Sequence, residues 1–143
     1  MAEILNSRFI PLRINLERQR PIFKEYRVVW TPTICLLDME GREHHRFTGF
    51  FTPTEMSARI LLDGAKSALF LRRNDIAQGH LDALFADYRG TFAVPEAIYY
   101  SGVLGTLSSD DPKFLRRGLE RLRKEFPDSE WTMRAKPYEG IAL

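Results

Sequence analysis

An α+β fold is what this sequence predicts, with about three strands at the front and helices behind them. Three observations lead there. Ile34-Cys35-Leu36-Leu37-Asp38 is a largely apolar run of strand length, and such a run reads as a strand buried on both faces. Leu12, Ile14 and Leu16 alternate with Arg13 and Asn15, which is the period of a second strand. From Thr52 onward, apolar residues recur three and four positions apart, the spacing of amphipathic helices.

Taken in order, residues 8–16 form the first strand. Pro11 removes a ladder donor and fits only a strand's beginning or an edge. Residues 18–27 form a short helix, with Ile22, Phe23 and Tyr26 at helical spacing and Pro21 in the first turn. After Trp30-Thr31-Pro32-Thr33 comes the apolar strand, and Met39-Glu40-Gly41-Arg42 turns it back into Glu43 to Phe47, a hairpin partner ending at Gly49.

The second half is helical. Thr52 or Thr54 caps a helix running to about Leu71, with Met56, Ile60, Leu61, Ala65, Ala68 and Leu69 on its apolar stripe. Asn74 breaks it. Further helices follow over Ala77 to Tyr88, from Pro95 to about Leu107, from Asp110 or Asp111 to Phe126, and over Glu130 to Lys136. A repeat runs through them. Leu81, Leu84, Tyr88 and Ala97 match Leu119, Leu122, Phe126 and Ala135 at a constant offset of 38 (119 − 81). A period in the 30s on helical hairpins marks helical repeat arrays. Two domains follow, 1–71 and 72–143, packed on each other because no Gly/Ser linker divides them.

Composition excludes several classes. With 143 residues the chain is long enough to bury a core without a metal or disulfide staple. Lys and Arg total 21 against 19 Asp and Glu, a net charge of +2, so no nucleic-acid partner is expected. The single cysteine, Cys35, permits no internal disulfide, no Cys-based zinc cluster and no C-x-x-C pair. No apolar run approaches the ~20 residues of a membrane span. Met1 to Ser7 has neither a basic nor an apolar leader region, so a cytoplasmic location is expected.

The run Tyr26-x-Val28-x-Trp30-Thr31-Pro32-Thr33-x-x-x-Leu37-Asp38-x-x-Gly41, followed by Arg46-Phe47-x-Gly49-Phe50, resembles the second half of a thioredoxin-like domain. Residues 71–137 look like a short tetratricopeptide-like tail. The first resemblance implies a cis peptide before Pro32 and a peptide-binding surface at Trp30, Thr31 and Pro32. It also implies that the strand over 8–16 pairs with a central strand this chain does not have. The family's first two strands, first helix and C-x-x-C are absent, and Ala2 to Ser7 matches only the end of that helix.

No remaining residue builds a reaction centre. Cys35 lies between Ile34 and Leu36 with no adjacent cation, so it is expected to be buried and inert. His44 and His45, adjacent on a strand, point to opposite faces and cannot chelate one ion together, and His80 stands alone. Lys113, Arg117, Arg121 and Lys124 share a helix face, read as solvated because Glu120 and Glu125 are interleaved with the cations. No phosphate loop or nucleophile motif occurs. The expected function is a non-catalytic thioredoxin-like and helical-repeat protein-interaction module. It uses no cofactor and no metal, and its partner is another protein or a second copy. The alternative is a fragment of a thiol-disulfide oxidoreductase whose redox cysteines lie upstream of Met1.

Overall fold

A computed structural model describes residues 2–143. The chain divides into two compact units between Ser57 and Ala58. The elements are helices α1 (Ala2–Arg8) and α2 (Arg20–Glu25), strands β1 (Thr33–Leu37) and β2 (Glu43–Thr48), and helices α3 (Pro53–Phe70), α4 (Asn74–Asp87), α5 (Val94–Ser109), α6 (Lys113–Glu125) and α7 (Glu130–Ala135). A 3₁₀ turn over Lys136–Gly140 follows. The fold is helix-rich α+β with a small antiparallel sheet, and the division between units falls within α3.

In the first unit the hairpin forms where the sequence places it. Thr33 pairs with Thr48, Ile34 with Phe47, Cys35 with Arg46 and Leu36 with His45. The turn is held by Asp38. Its carboxylate accepts from the backbone N–H of Glu40 (3.0 Å) and Arg42 (2.9 Å), and Gly41 takes φ +77°, where a side chain would be strained. α2 stops at Glu25 because Arg27 turns left-handed, φ +48°. The N–H groups of Arg27 and Val28 then reach back to the carbonyls of Lys24 and Phe23 at 3.1 and 2.9 Å.

Residues 8–16 are not a strand, and the sheet has two strands rather than three among the described residues. The alternation is present, but a strand needs a neighbour to take its ladder hydrogen bonds. Here Asn15 instead folds the chain locally. Its side chain accepts from Glu17 N–H (2.9 Å) and Arg18 N–H (3.2 Å), and its carbonyl accepts from Gln19 N–H (2.9 Å).

In the second unit the predicted stripes supply most of the core, and Leu62, outside them, joins it. Leu61, Leu62, Leu81, Leu84, Ile98, Leu119 and Leu122 are fully buried, each worth about 2 kcal/mol relative to exposure. Asn74 opens α4 rather than breaking the chain's helical run. The break is at Arg72, φ +56°, with Arg73 N–H bonded to Ala68 O at 2.8 Å. α5 and α6 approach closely, since a Cβ on Gly102 would sit 3.0 Å from the Phe114 carbonyl oxygen.

The 38-residue offset extends to the backbone. Tyr88 and Phe126 both end their helices, with N–H bonds to Leu84 and Leu122 respectively. Thr91 N–H bonds Tyr88 O, and Ser129 N–H bonds Phe126 O, at 3.2 and 3.1 Å. Val94 N–H bonds Thr91 O, and Thr132 N–H bonds Ser129 O, at 3.2 and 3.0 Å. Each second bond lies 38 residues after the first. The two hairpin loops therefore share one main-chain pattern as well as one apolar pattern.

Candidate functional site

The first unit holds the residues that the sequence singles out. The Thr31–Pro32 peptide is cis. Thr31 and Pro32 are exposed, Trp30 is 73 % exposed and Val29 92 %. The backbone behind them is fixed from the sheet side. Thr33 Oγ1 donates to Trp30 O at 2.6 Å and lies 3.0 Å from Thr48 Oγ1, while Gly49 N–H donates to Pro32 O at 2.9 Å. An exposed indole on an anchored backbone is a ready contact surface, because Trp offers a large apolar body at low entropic cost.

Among the described residues β1 exchanges ladder bonds with β2 alone, and its Thr33 to Leu36 are only half-buried, although the apolar sequence is that of a strand covered on both faces. Further apolar side chains of this unit are in water: Ile10, Leu12, Leu16, Met39 and Phe50 are each at least half exposed. The same unit encloses Phe47, whose ring meets that of Phe51 edge-on at 5.2 Å.

Around Cys35 the chemistry is quiet. The thiol is half-buried, and its pKa is pushed up by burial first and by the charge of Glu43 second, against the opposing charge of Arg46. Arg46 itself is a tie. It bonds both oxygens of Glu43 (2.7 and 2.5 Å), the carbonyl of Arg27 (3.2 Å) and the carbonyl of Tyr26, fastening the end of α2 to β2. His44 turns to Asp38, with Nε2 3.1 Å from Oδ2, while His45 pairs in register with Leu36. No group of three His, Cys, Asp or Glu able to hold a metal occurs among the described residues.

The second unit carries features that sequence reading does not reveal. Arg59, Asp63 and Lys66 on α3 and Glu96 on α5 form a closed ring of alternating charge. Its contacts are Arg59–Asp63 at 3.0 Å, Asp63–Lys66 at 3.4 Å, Lys66–Glu96 at 2.7 Å and Glu96–Arg59 at 3.0 Å. The spacing of 59, 63 and 66 on one helix is a local signal, but Glu96 is 30 residues beyond Lys66 (96 − 66) and nothing local points to it. An open groove of about 600 Å³ lies along the two equivalent loops, lined by Phe92, Pro95, Phe126, Pro127 and Trp131, with Arg89 at its edge. Tyr99 and Tyr138 share a hydroxyl contact at 2.8 Å. The Tyr138 pKa is pushed up to about 12 by burial and then by that bond.

The cations of α6 are partly neutralised, Arg121 of the basic face among them. Arg121 meets Glu125 at 2.9 Å and stacks on the Phe85 ring, Arg116 meets Glu120 at 2.7 Å, and Arg123 meets Glu139 at 2.7 Å. Among the described residues no helix is long and apolar enough to cross a membrane. Compared with protein-family models, with curated proteins and with solved structures, the chain matches none.

Proposed function

We propose that this chain is a non-catalytic protein-interaction module, a partial thioredoxin-like sheet followed by tetratricopeptide-like helical hairpins. One observation carries the reading: among the described residues one edge of β1 has no ladder partner, and Trp30, three residues before β1, is 73 % exposed on an anchored backbone. An extended polypeptide laid along that edge gains main-chain hydrogen bonds from β1 and an aromatic contact from Trp30. Apolar surface left in water on this scale marks an interaction site. The shared backbone pattern of the two hairpin loops supports the helical-repeat half of the proposal.

The test is a screen of extended twelve-residue peptides against the purified chain, read by fluorescence anisotropy and by amide hydrogen exchange. Peptides that bind are expected to slow exchange across residues 33–37. Trp30→Ala is expected to weaken them at least tenfold, the loss of a central aromatic anchor. Peptides that bind Trp30→Ala equally well and leave β1 unprotected would overturn the reading.

A further inference from the structure

We propose that residues 10–16 form the missing third strand of the sheet in a second copy of the chain, each copy donating this segment to the free edge of the other's β1. The inference rests on the module reading above and names an occupant for its edge. Among the described residues, no main-chain hydrogen bond is made by the N–H groups of Ile10, Leu12, Arg13 or Ile14. Residues 10–15 lie in no helix, turn or ladder. From Ile10 to Ile14 the main chain is therefore open, while Asn15 N–H and carbonyl are held by Gln19 at 2.9 Å each, a turn that the exchange would have to open, and the apolar residues are in water: Ile10 is 89 % exposed and Leu12 78 %.

The receiving edge is on β1 rather than β2. β1 reads Thr33-Ile34-Cys35-Leu36-Leu37, without a charge, which suits an interior strand. β2 carries Glu43, His44, His45 and Arg46, the polar composition that protects an edge. Pro11 stands at the start of the donated segment, so its missing N–H falls outside the ladder that Leu12 to Leu16 would build.

The exposed area is enough for a second copy. Ile10, Leu12, Leu16, Val29, Trp30, Met39 and Phe50 are all at least half exposed. Together they leave on the order of 1,000 Å² of apolar surface in water, against about 800 Å² per partner for a stable interface. Reciprocal donation closes at two chains with two-fold symmetry, so it builds a dimer rather than an open array.

Cys35, at the middle of β1, supplies the probe. Leu12→Cys, Ile14→Cys and Leu16→Cys are oxidised singly with copper phenanthroline at pH 8.5 and run on non-reducing gels, with Glu17→Cys as the exposed control. A thiol on a strand beside Cys35 comes within the ~4.4–6.8 Å Cα separation that a disulfide spans. The expected result is a covalent dimer from at least one of the three positions. It is absent in the Glu17 control, lost with Cys35→Ser, and at least tenfold weaker when Arg13→Pro is added. A monomeric product bridged within one chain overturns the proposal, and so do failure at all three positions and equal bridging in the Glu17 control. If the bridges fail while foreign peptides still protect β1, exchange between copies is wrong and the module reading stands. If the bridges form and no foreign peptide protects β1, the reverse holds.

Discussion

Lys66 on α3 and Glu96 on α5 lie 2.7 Å apart, Nζ to Oε1, and both belong to a ring that includes Asp63, whose side chain is fully buried. Each charge in this ring has two neighbours of opposite sign. Removing Glu96 leaves Arg59 and Lys66 to share the single buried carboxylate of Asp63, with one positive charge in excess. Glu96→Ala is therefore expected to destabilise the helical unit by about 3–5 kcal/mol. Glu130→Ala, which breaks the exposed pair with Arg134, is expected to cost less than about 1 kcal/mol. Urea denaturation of both variants checks this, and equal losses would show that the ring carries no special weight.

The same ring shows where sequence reading stops. The stripes Leu81–Leu84 and Leu119–Leu122 are legible because helical periodicity is local, and the structure buries all four. Thr52 is legible as a cap, and it accepts from Glu55 N–H at 3.3 Å. Glu96 is not legible as a core charge, because its partners are 30 and 37 residues earlier in the chain (96 − 66 and 96 − 59). The strand expected over 8–16 fails for a related reason. Alternation records which face a strand would bury, while the ladder depends on a neighbour that no local pattern reveals. At the candidate site, Trp30 and Pro32 are legible as residues. The exposure of Trp30 is not, since an aromatic side chain in a sequence reads first as core.

Two glycines of the α5–α6 contact should respond oppositely to alanine. A Cβ at Gly102 would lie 3.0 Å from the Phe114 carbonyl oxygen, which is backbone and held within its helix. At Gly118 the nearest atom is the Ile98 oxygen at 3.5 Å, an ordinary contact. Gly118→Ala is expected to gain up to about 1 kcal/mol from helix propensity. Gly102→Ala is expected to lose about 1–3 kcal/mol through overpacking. Thermal denaturation decides, and a higher Tm for Gly102→Ala would mean that the two helices separate at little cost.

The turn at Asp38 should make stability depend on acid. Burial alone would raise the Asp38 pKa. The hydrogen bonds from the Arg42 side chain and backbone and from His44, with the Arg42 charge, outweigh it and hold the carboxyl well below the usual range. A depressed folded pKa contributes stability above the unfolded value of about 3.9 and loses it as pH falls through the folded value. Asp38→Asn is accordingly expected to be less stable than the native chain at pH 7, and the gap is expected to narrow below about pH 4. Urea midpoints between pH 7 and pH 2 measure it. A gap that stays constant would show that the carboxylate's charge is irrelevant to the turn.

Cys35 is expected to be a poor nucleophile. Exchange requires a thiolate with access to a disulfide sulfur. Burial raises the Cys35 pKa, and the Glu43 carboxylate raises it further, with Arg46 opposing both from the facing position in the register. The raised pKa leaves less thiolate at pH 7 than an ordinary cysteine has, and the half-buried position slows approach. The native chain is expected to show no insulin reduction above a Cys35→Ser control. Its reaction with a thiol reagent should be at least tenfold slower than that of a free cysteine at pH 7 and should reach the free rate in denaturant. Because the Glu43 charge pushes the thiol up, Glu43→Gln is expected to quicken the reaction modestly at neutral pH. Insulin reduction that disappears in the serine variant would instead make Cys35 a redox residue and the chain an oxidoreductase.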